Sequence, residues 1–343
     1  MIIPRFHPLI QCRRWLPTAV LLAVIPAALG CSLAGPLNEK AFVGPEKLRL
    51  RSSTAQAARA TDELKGADPV TITDRVEAED GVIWVEVRGP GDEKGWAEAR
   101  FFVRAELVEA ARRIVDQHRN IQTQALGRSR APLKLRLTPD RTSEENVANL
   151  LPAGALLEII GRERRPRPAS KEPIAGELEG ESVESAGNES RSDDWLLVRV
   201  RDFSVVPAGW IYGGSVGIEV PPEIIYFVSD GRRITGWQKI GTVTEEDGRT
   251  ADNYLVLEER TNGAKPEFDF DRVKVLAYDP ATRNYNTPFR EDLSGRYPLT
   301  LNMNGSRGTF ELKAADKTGQ IRQLSYQIEM LEASRIRVTR ISK

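Results

Sequence analysis

An internal repeat most limits what this chain can fold into. Residues 47–50 read KLRL, and residues 134–137 read KLRL again. Further matches follow in the same order in both halves: residues 64–66 and 153–154, 70–72 and 156–159, 84–88 and 195–199, and 95–96 and 209–210. Short runs of alternating apolar residues, separated by Gly, Asp or Pro, are typical of β-strands joined by turns. Because the same series of elements occurs twice, the sequence predicts two copies of one small all-β domain.

The order of elements in each copy resembles that of the bacterial SH3-like domain. Both copies have a leading strand with alternating leucines, a glycine turn, a strand that begins with tryptophan and a closing Gly-Trp strand. The resemblance covers residues 42–103 and 132–222 and departs in the turn after the leading strand, which reads RSST at 51–54 and TPDR at 138–141. It implies two small β-barrels that bind peptidoglycan stems or partner proteins, as such domains do in proteins of the cell envelope.

Five residues in the paired strands are candidates for ligand binding: Trp84 and Arg88 in the first copy, and Trp195, Arg199 and Tyr212 in the second. Each arginine lies four residues after its tryptophan, so the two side chains share a face of the strand. An exposed aromatic surface beside a cation suits ligands that carry carboxylates and apolar side chains. The alternative is that the tryptophans are partly buried barrel residues, covered by solvent-exposed arginines.

The closing Gly-Trp strands are expected to belong to the cores. Gly95 and Gly209 suit positions where strands cross closely, and Trp96 and Trp210 follow them directly. The sequence therefore predicts that both closing tryptophans are buried.

The first thirty residues predict an export signal. Residues 1–14 contain three arginines and no acid, and an apolar run follows at 16–29. This run is too short for a membrane span of about 20 residues. Residues 28–31 (ALGC) resemble the lipobox of bacterial lipoproteins, although the residue characters three and two positions before the cysteine are exchanged. The resemblance implies that Cys31 is lipidated, with residues 1–30 as signal and 31–41 as tether. A plain cleaved signal is the alternative.

If Cys31 is lipidated, we expect the chain to be bound to a membrane through its lipid anchor. Acyl chains hold a protein on a bilayer through burial of their methylene groups. The chain beyond residue 30 has a net charge of −3, because the signal removes three arginines and no acids; attraction to anionic lipid is therefore not expected. The residue after Cys31 is Ser32 and not an aspartate, which at this position would resemble an inner-membrane retention signal. We expect a lipid-anchored protein that faces the periplasm or cell exterior, on the outer membrane if the host has one.

Two segments interrupt the repeated pattern. Apolar residues between 104 and 127 recur at spacings of four and three, which predicts an amphipathic helix within a linker at 104–131. The segment 161–194 has few apolar residues and separated blocks of basic and acidic residues. Such a composition cannot bury enough surface to offset its ordering entropy. We therefore expect a disordered insertion in the second copy.

The last third, residues 223–343, is expected to be a separate β-rich domain. Eight alternating segments occur at residues 224–228, 235–243, 254–258, 272–278, 298–303, 309–313, 324–330 and 335–341. Asp-Gly and Asn-Gly pairs between several of them favour tight turns. The sequence thus predicts a mainly β protein: two SH3-like barrels joined by an amphipathic helix, followed by an antiparallel β-sandwich or barrel.

The residue types argue for binding rather than catalysis. Lysine plus arginine equals aspartate plus glutamate at 49 each, so the basic excess of a nucleic-acid binder is missing. Cys12 lies in the signal, Cys31 would be acylated, and His118 stands alone in the chain after the signal. The sequence predicts no catalytic residue, no metal site and no cofactor. We expect a non-enzymatic lipoprotein that binds peptidoglycan or envelope proteins; the alternative is a cell-wall enzyme or enzyme activator with the C-terminal domain as effector.

Overall fold

The protein is mainly β, with three antiparallel sheets of seven strands and one α-helix in the part of the chain that the structure describes. The structure is a computed structural model that describes residues 37–55, 57–166, 192–202, 204–262, 267–332 and 335–341. Within these ranges, no helix has both the length and the apolar character of a membrane span.

The first sheet contains the first repeat. Its strands are β1 Glu39–Val43, β2 Lys47–Arg51, β3 Ala60–Lys65, β4 Pro69–Glu77, β5 Ile83–Arg88, β6 Lys94–Glu98 and β7 Phe102–Arg104. They lie in the order β3-β2-β6-β5-β4-β1-β7, and a 3₁₀ turn at Ala99–Phe101 separates β6 from β7. Alternating residues of these strands form one core, which includes Val43, Leu50 and Val85.

The second sheet repeats this arrangement strand by strand. Its strands are β8 Ala125–Ser129, β9 Leu133–Arg136, β10 Val147–Leu151, β11 Leu156–Pro166, β12 Ser192–Val200, β13 Ala208–Tyr212 and β14 Val216–Glu219. Their order is β10-β9-β13-β12-β11-β8-β14, and a 3₁₀ turn at Gly213–Ser215 again precedes the last strand. The two sheets therefore share one topology.

The alignment of the leading strands differs from the one that the sequence predicts. Arg51 of β2 lies opposite Trp96, and Arg136 of β9 lies opposite Trp210. Arg136 therefore corresponds to Arg51, two residues away from the match of the two KLRL segments. Because side chains alternate with a period of two, a shift by two residues keeps every leucine on the same face, so sequence similarity alone does not reveal it.

The α-helix α1, Ala105–His118, connects the two sheets along the chain and is shorter than the apolar spacing predicts. Val108 and Ala111 are buried and pack in the core of the second sheet. The helix ends early because Arg199 of β12 donates hydrogen bonds to the carbonyls of His118 (2.7 Å) and Ile121 (2.9 Å). Strand β8 then begins at residue 125, inside the predicted linker.

The third sheet is a meander, with each strand beside the next one in the chain. Its strands are β15 Arg232–Thr244, β16 Thr250–Arg260, β17 Phe270–Asp279, β18 Asn284–Asn304, β19 Arg307–Ala315, β20 Ile321–Glu332 and β21 Arg335–Ile341. A large core on one face includes Phe270, Phe310 and Tyr326. The alternating strands predicted from residue 235 onward are present as one antiparallel sheet.

The prediction of a strand at residues 224–228, the first of the eight predicted segments, is wrong. This segment forms a 3₁₀ turn at Ile225–Phe227. Pro221 and Pro222 precede it and have no N–H to donate to a sheet. Two buried charged side chains satisfy the backbone instead: Lys274 donates to the carbonyl of Phe227, and the carboxylate of Glu258 accepts the N–H of Ser229 at 3.2 Å.

The ends of the predicted disordered insertion are also strands. Residues 161–166 belong to β11 and pair with residues 192–197 of β12. Arg162 is only 5% exposed at its side chain, because it bonds to Asp194 at 2.7 Å and to Glu259 of the third sheet at 3.2 Å. Charged residues whose composition predicts a disordered loop are thus buried as ion pairs. The rest of the insertion, residues 167–191, lies outside the described residues.

Candidate binding groove

A groove of about 300 Å³ opens on the first sheet beside strands β2, β5 and β6. Its aromatic lining comes from Trp84, Trp96 and Phe101, and its charged lining from arginines and one acid. The residues around it are Leu48, Arg49, Arg51, Ala58, Ala60, Trp84, Trp96, Ala97, Glu98 and Phe101. A concave surface with aromatic walls and a few charged groups is the usual form of a small binding site.

Trp96 lines this groove because its neighbours face the core. Gly95 and Ala97 are buried, and a Cβ atom at Gly95 would lie 2.8 Å from the carbonyl oxygen of Arg51. Side chains alternate along a strand, so Trp96 must point outward. The same holds in the second sheet, where Trp210 follows the buried Gly209. The prediction that the closing tryptophans are buried in the cores is therefore wrong, since both are half-buried.

Trp84 forms the floor of the groove and is 9% exposed. The guanidinium carbon of Arg51 lies 5.5 Å from the centre of the Trp84 ring, within the range of a cation–π contact. Glu98 lies opposite Trp84 across β5 and β6, and Arg100 pairs with its carboxylate at 2.6 Å. The charge of Glu98 is thus balanced. Arg49 pairs with Glu63 at 3.7 Å, so the positive character of the groove comes chiefly from Arg51.

The structure places Trp195 and Arg199 inside the fold and not on an exposed surface. Trp195 is 2% exposed and meets Tyr212 edge to face at 6.3 Å between ring centres. Arg199 is half-buried and bonds to the carbonyls after α1. The predicted exposed face of the second copy is therefore not formed, because the Trp195 ring packs against Tyr212 and the guanidinium of Arg199 bonds to the carbonyls of His118 and Ile121.

Arg88 is exposed but does not line the groove. It lies at the other end of β5 from Trp84, and in the strand register it is opposite Lys94 of β6. Cys31 lies outside the described residues. Of the five predicted ligand-binding residues, the structure brings only Trp84 to the groove, and a role for the others in ligand binding stays a prediction.

Sequence reasoning missed Arg51, Arg49 and Phe101. The signal for the two arginines was present, because arginine alternates with leucine along β2 and so occupies the outward face. Phe101 has no such pattern, because it belongs to the 3₁₀ turn Ala99–Phe101. Its position depends on the path of the chain between β6 and β7.

No protein-family model and no curated protein matches the chain. Among the described residues, no three His, Cys, Asp or Glu side chains lie close enough together to hold a metal ion.

Phe101 also lines a second groove, of about 710 Å³, at the border of the first and second sheets. Phe102 of β7 and the exposed Leu150 of β10 contribute apolar surface to it. Because Phe101 is shared, the two grooves are neighbours.

Proposed function

We propose that the protein is a non-enzymatic lipoprotein of the cell envelope that binds peptidoglycan or protein partners through SH3-like modules, with the groove of the first of its two modules as the contact site. Each module is one of the two matching sheets. The proposal is supported by the shared strand order and by the 3₁₀ turn before the last strand of both sheets. The first module carries the binding groove.

One observation carries this proposal: Arg51 lies over Trp84 in an open groove that Trp96 also lines. Indole rings offer flat apolar surface to side chains or sugar faces. A guanidinium donates paired hydrogen bonds to carboxylates. Peptidoglycan stems and acidic segments of proteins offer both kinds of group, so they are the ligands that this pair of residue types fits.

Cosedimentation with purified cell-wall sacculi tests the proposal. We expect Trp96→Ala to reduce binding at least tenfold, because it removes an exposed wall of the groove. Trp210→Ala is the matched control, since it removes the equivalent half-buried tryptophan from the second module and should leave binding unchanged. Equal binding by wild type and both variants, or equal loss in both variants, would reject the first groove as the site.

The membrane anchor is proposed for Cys31. In a cell fractionation experiment, Cys31→Ser should move the protein from the membrane fraction to the soluble fraction, because it removes the acyl chains. A Cys31→Ser protein that stays with the membrane to the same extent as wild type would show that another feature holds the chain there.

A further inference from the structure

The two modules contain the same arginine in two different states. Arg51 and Arg136 occupy equivalent positions, each opposite the tryptophan of the closing strand. Arg136 is satisfied by its own chain, whereas Arg51 faces an open groove. The second module therefore shows which chemical groups an arginine at this position binds.

The ligands of Arg136 come from the loop 137–146 between β9 and β10. Its Nη1 donates to the carbonyl oxygen of Ser143 and to Oδ1 of Asn146, both at 2.6 Å. Its Nη2 donates to the carboxylate of Glu144 at 3.2 Å. The side chain of Arg136 is only 6% exposed, so the loop covers it. One acidic stretch of polypeptide thus supplies a backbone carbonyl, an amide oxygen and a carboxylate.

The first module has no such stretch. The equivalent loop, residues 52–59, reads SSTAQAAR and contains no acid. In the part of the chain that the structure describes, the guanidinium of Arg51 has no hydrogen-bond acceptor and meets only the Trp84 ring. Arg51 lines the groove of about 300 Å³. A guanidinium has five N–H donors, and a bound carboxylate and carbonyl would satisfy several of them.

We propose that the groove of the first module binds an acidic segment of a partner protein, and that this segment contacts Arg51 as residues 143–146 contact Arg136. This rests on the proposed function and names its ligand. The pairing of a backbone carbonyl with the carboxylate of the next residue, as in Ser143 and Glu144, is a property of polypeptide, which favours a protein segment over a glycan. Glu98 is the acid among the residues that line the groove, and its pairing with Arg100 balances a charge that would oppose such a ligand.

The direct test uses a fluorescent peptide that copies residues 138–147 and measures its anisotropy as the protein is added. We expect saturable binding that weakens with salt. The same peptide with Glu144→Gln and Glu145→Gln should bind at least tenfold more weakly, because it keeps the shape of the segment but lacks its charge.

Variants of the protein show whether Arg51 is the contact. Arg51→Gln should weaken peptide binding at least tenfold, and Arg51→Lys should fall between Arg51→Gln and wild type, since it keeps the charge but loses the planar fork. Arg104→Gln changes an exposed arginine of the same sheet outside the groove and should bind as wild type does. Thermal melts confirm that the variants are folded.

The outcomes separate this proposal from the proposed function. Equal affinity for the acidic and glutamine peptides, or full affinity of Arg51→Gln, overturns the acidic segment as the ligand. Binding of sacculi through Trp96 without any binding of the peptide also overturns it, while the proposed function stands. Failure to bind sacculi, peptide and envelope partners alike would reject both.

Discussion

At the scale of single residues, two arginines at equivalent positions have different roles. One stabilises the fold, and the other is available to bind a ligand. Arg136 is buried and bonded to three oxygen atoms of its own loop, whereas Arg51 lies over an aromatic ring at the edge of an open groove. A buried donor set stabilises the fold because its partners would otherwise lose their hydrogen bonds. An arginine that has no acceptor within the fold contributes little to stability and remains free to bind a ligand.

We therefore expect Arg136→Ala to lower the free energy of unfolding by about 2–3 kcal/mol, because the half-buried oxygen atoms of Ser143 and Asn146 lose a charged donor. Arg51→Ala should change it by less than about 1 kcal/mol, because it removes only a cation–π contact with the Trp84 ring. Urea denaturation of both variants measures the difference. Equal losses in the two variants would mean that the modules hold their arginines in the same way.

A buried carboxyl gives a second prediction at this scale, one of pH dependence. Burial raises the pKa of Asp269 to about 6, although the N–H of Tyr297 and the charges of Arg162 and Arg164 oppose the shift. Because the folded state disfavours the ionised carboxyl, the stability that Asp269 contributes is present below about pH 4 and is lost as pH rises to about 6. Asp269→Asn removes this titration.

The free energy of unfolding of Asp269→Asn minus that of wild type should therefore increase from pH 4 to pH 6 and stay constant above it. Denaturation curves at four or five pH values test this. A difference that is constant over the whole range, or that falls with rising pH, would show that the carboxyl is not destabilised by burial.

At the scale of elements, the connection between α1 and β8 joins the second sheet to the third. The side-chain amide of Gln122 donates to the carbonyl of Leu301 in β18 and accepts the N–H of the same residue. The amide of Gln124 makes the same two hydrogen bonds with Leu299. All four distances lie between 2.7 and 3.0 Å. Each glutamine thus acts as a short piece of neighbouring strand, at a place where β18 leaves its pairing with β17.

Gln124→Ala should lower the free energy of unfolding by about 2–3 kcal/mol, because it leaves the buried N–H of Leu299 without a partner and its carbonyl with only the long contact from the Gln238 amide at 3.5 Å. Gln122→Ala should cost less, since Gln122 is half-buried and water can replace its amide. Thermal or urea unfolding compares the two. A larger loss in Gln122→Ala would contradict this view of the connection.

Elements with a strong local pattern could be predicted, and those fixed by distant partners could not. The strands around Trp84, Gly95 and their counterparts have period-two patterns that depend only on neighbouring residues. The two-residue shift of β9 leaves that pattern unchanged, so only the position of the facing strand reveals it. The strand at residues 161–166 was missed because its arginines are buried by acids of distant strands, chiefly Glu259.

At the scale of the whole molecule, the second and third sheets are joined by buried polar contacts. Burial opposes ionisation of Glu259, but the charges of Arg162 and Arg164 outweigh it and hold the pKa of this carboxyl below its usual range. The indole N–H of Trp237 donates to the carbonyl of Glu219 at 2.9 Å. The sequence could not reveal this junction, because its charged residues read as solvated loops until their partners are known.

The candidate site could be predicted only in part for a related reason. Period-two alternation correctly places Trp84 in the strand beside the groove, but it does not tell which of two equivalent tryptophans stays accessible. That depends on the loop after the leading strand, which is poor in large side chains at 52–59 and rich in charged and hydrogen-bonding residues at 137–146. The loop therefore decides which module has an open groove.

An exchange of loops tests this central claim most directly. Residues 52–59 are replaced by the sequence of residues 137–146, and binding to sacculi and to the acidic peptide is measured beside wild type, with thermal melts to confirm folding. The transplanted loop should cover Arg51 as it covers Arg136, and binding should fall at least tenfold. A folded exchange protein that binds both ligands as well as wild type does would show that the groove of the first module is not where this protein recognises its partners.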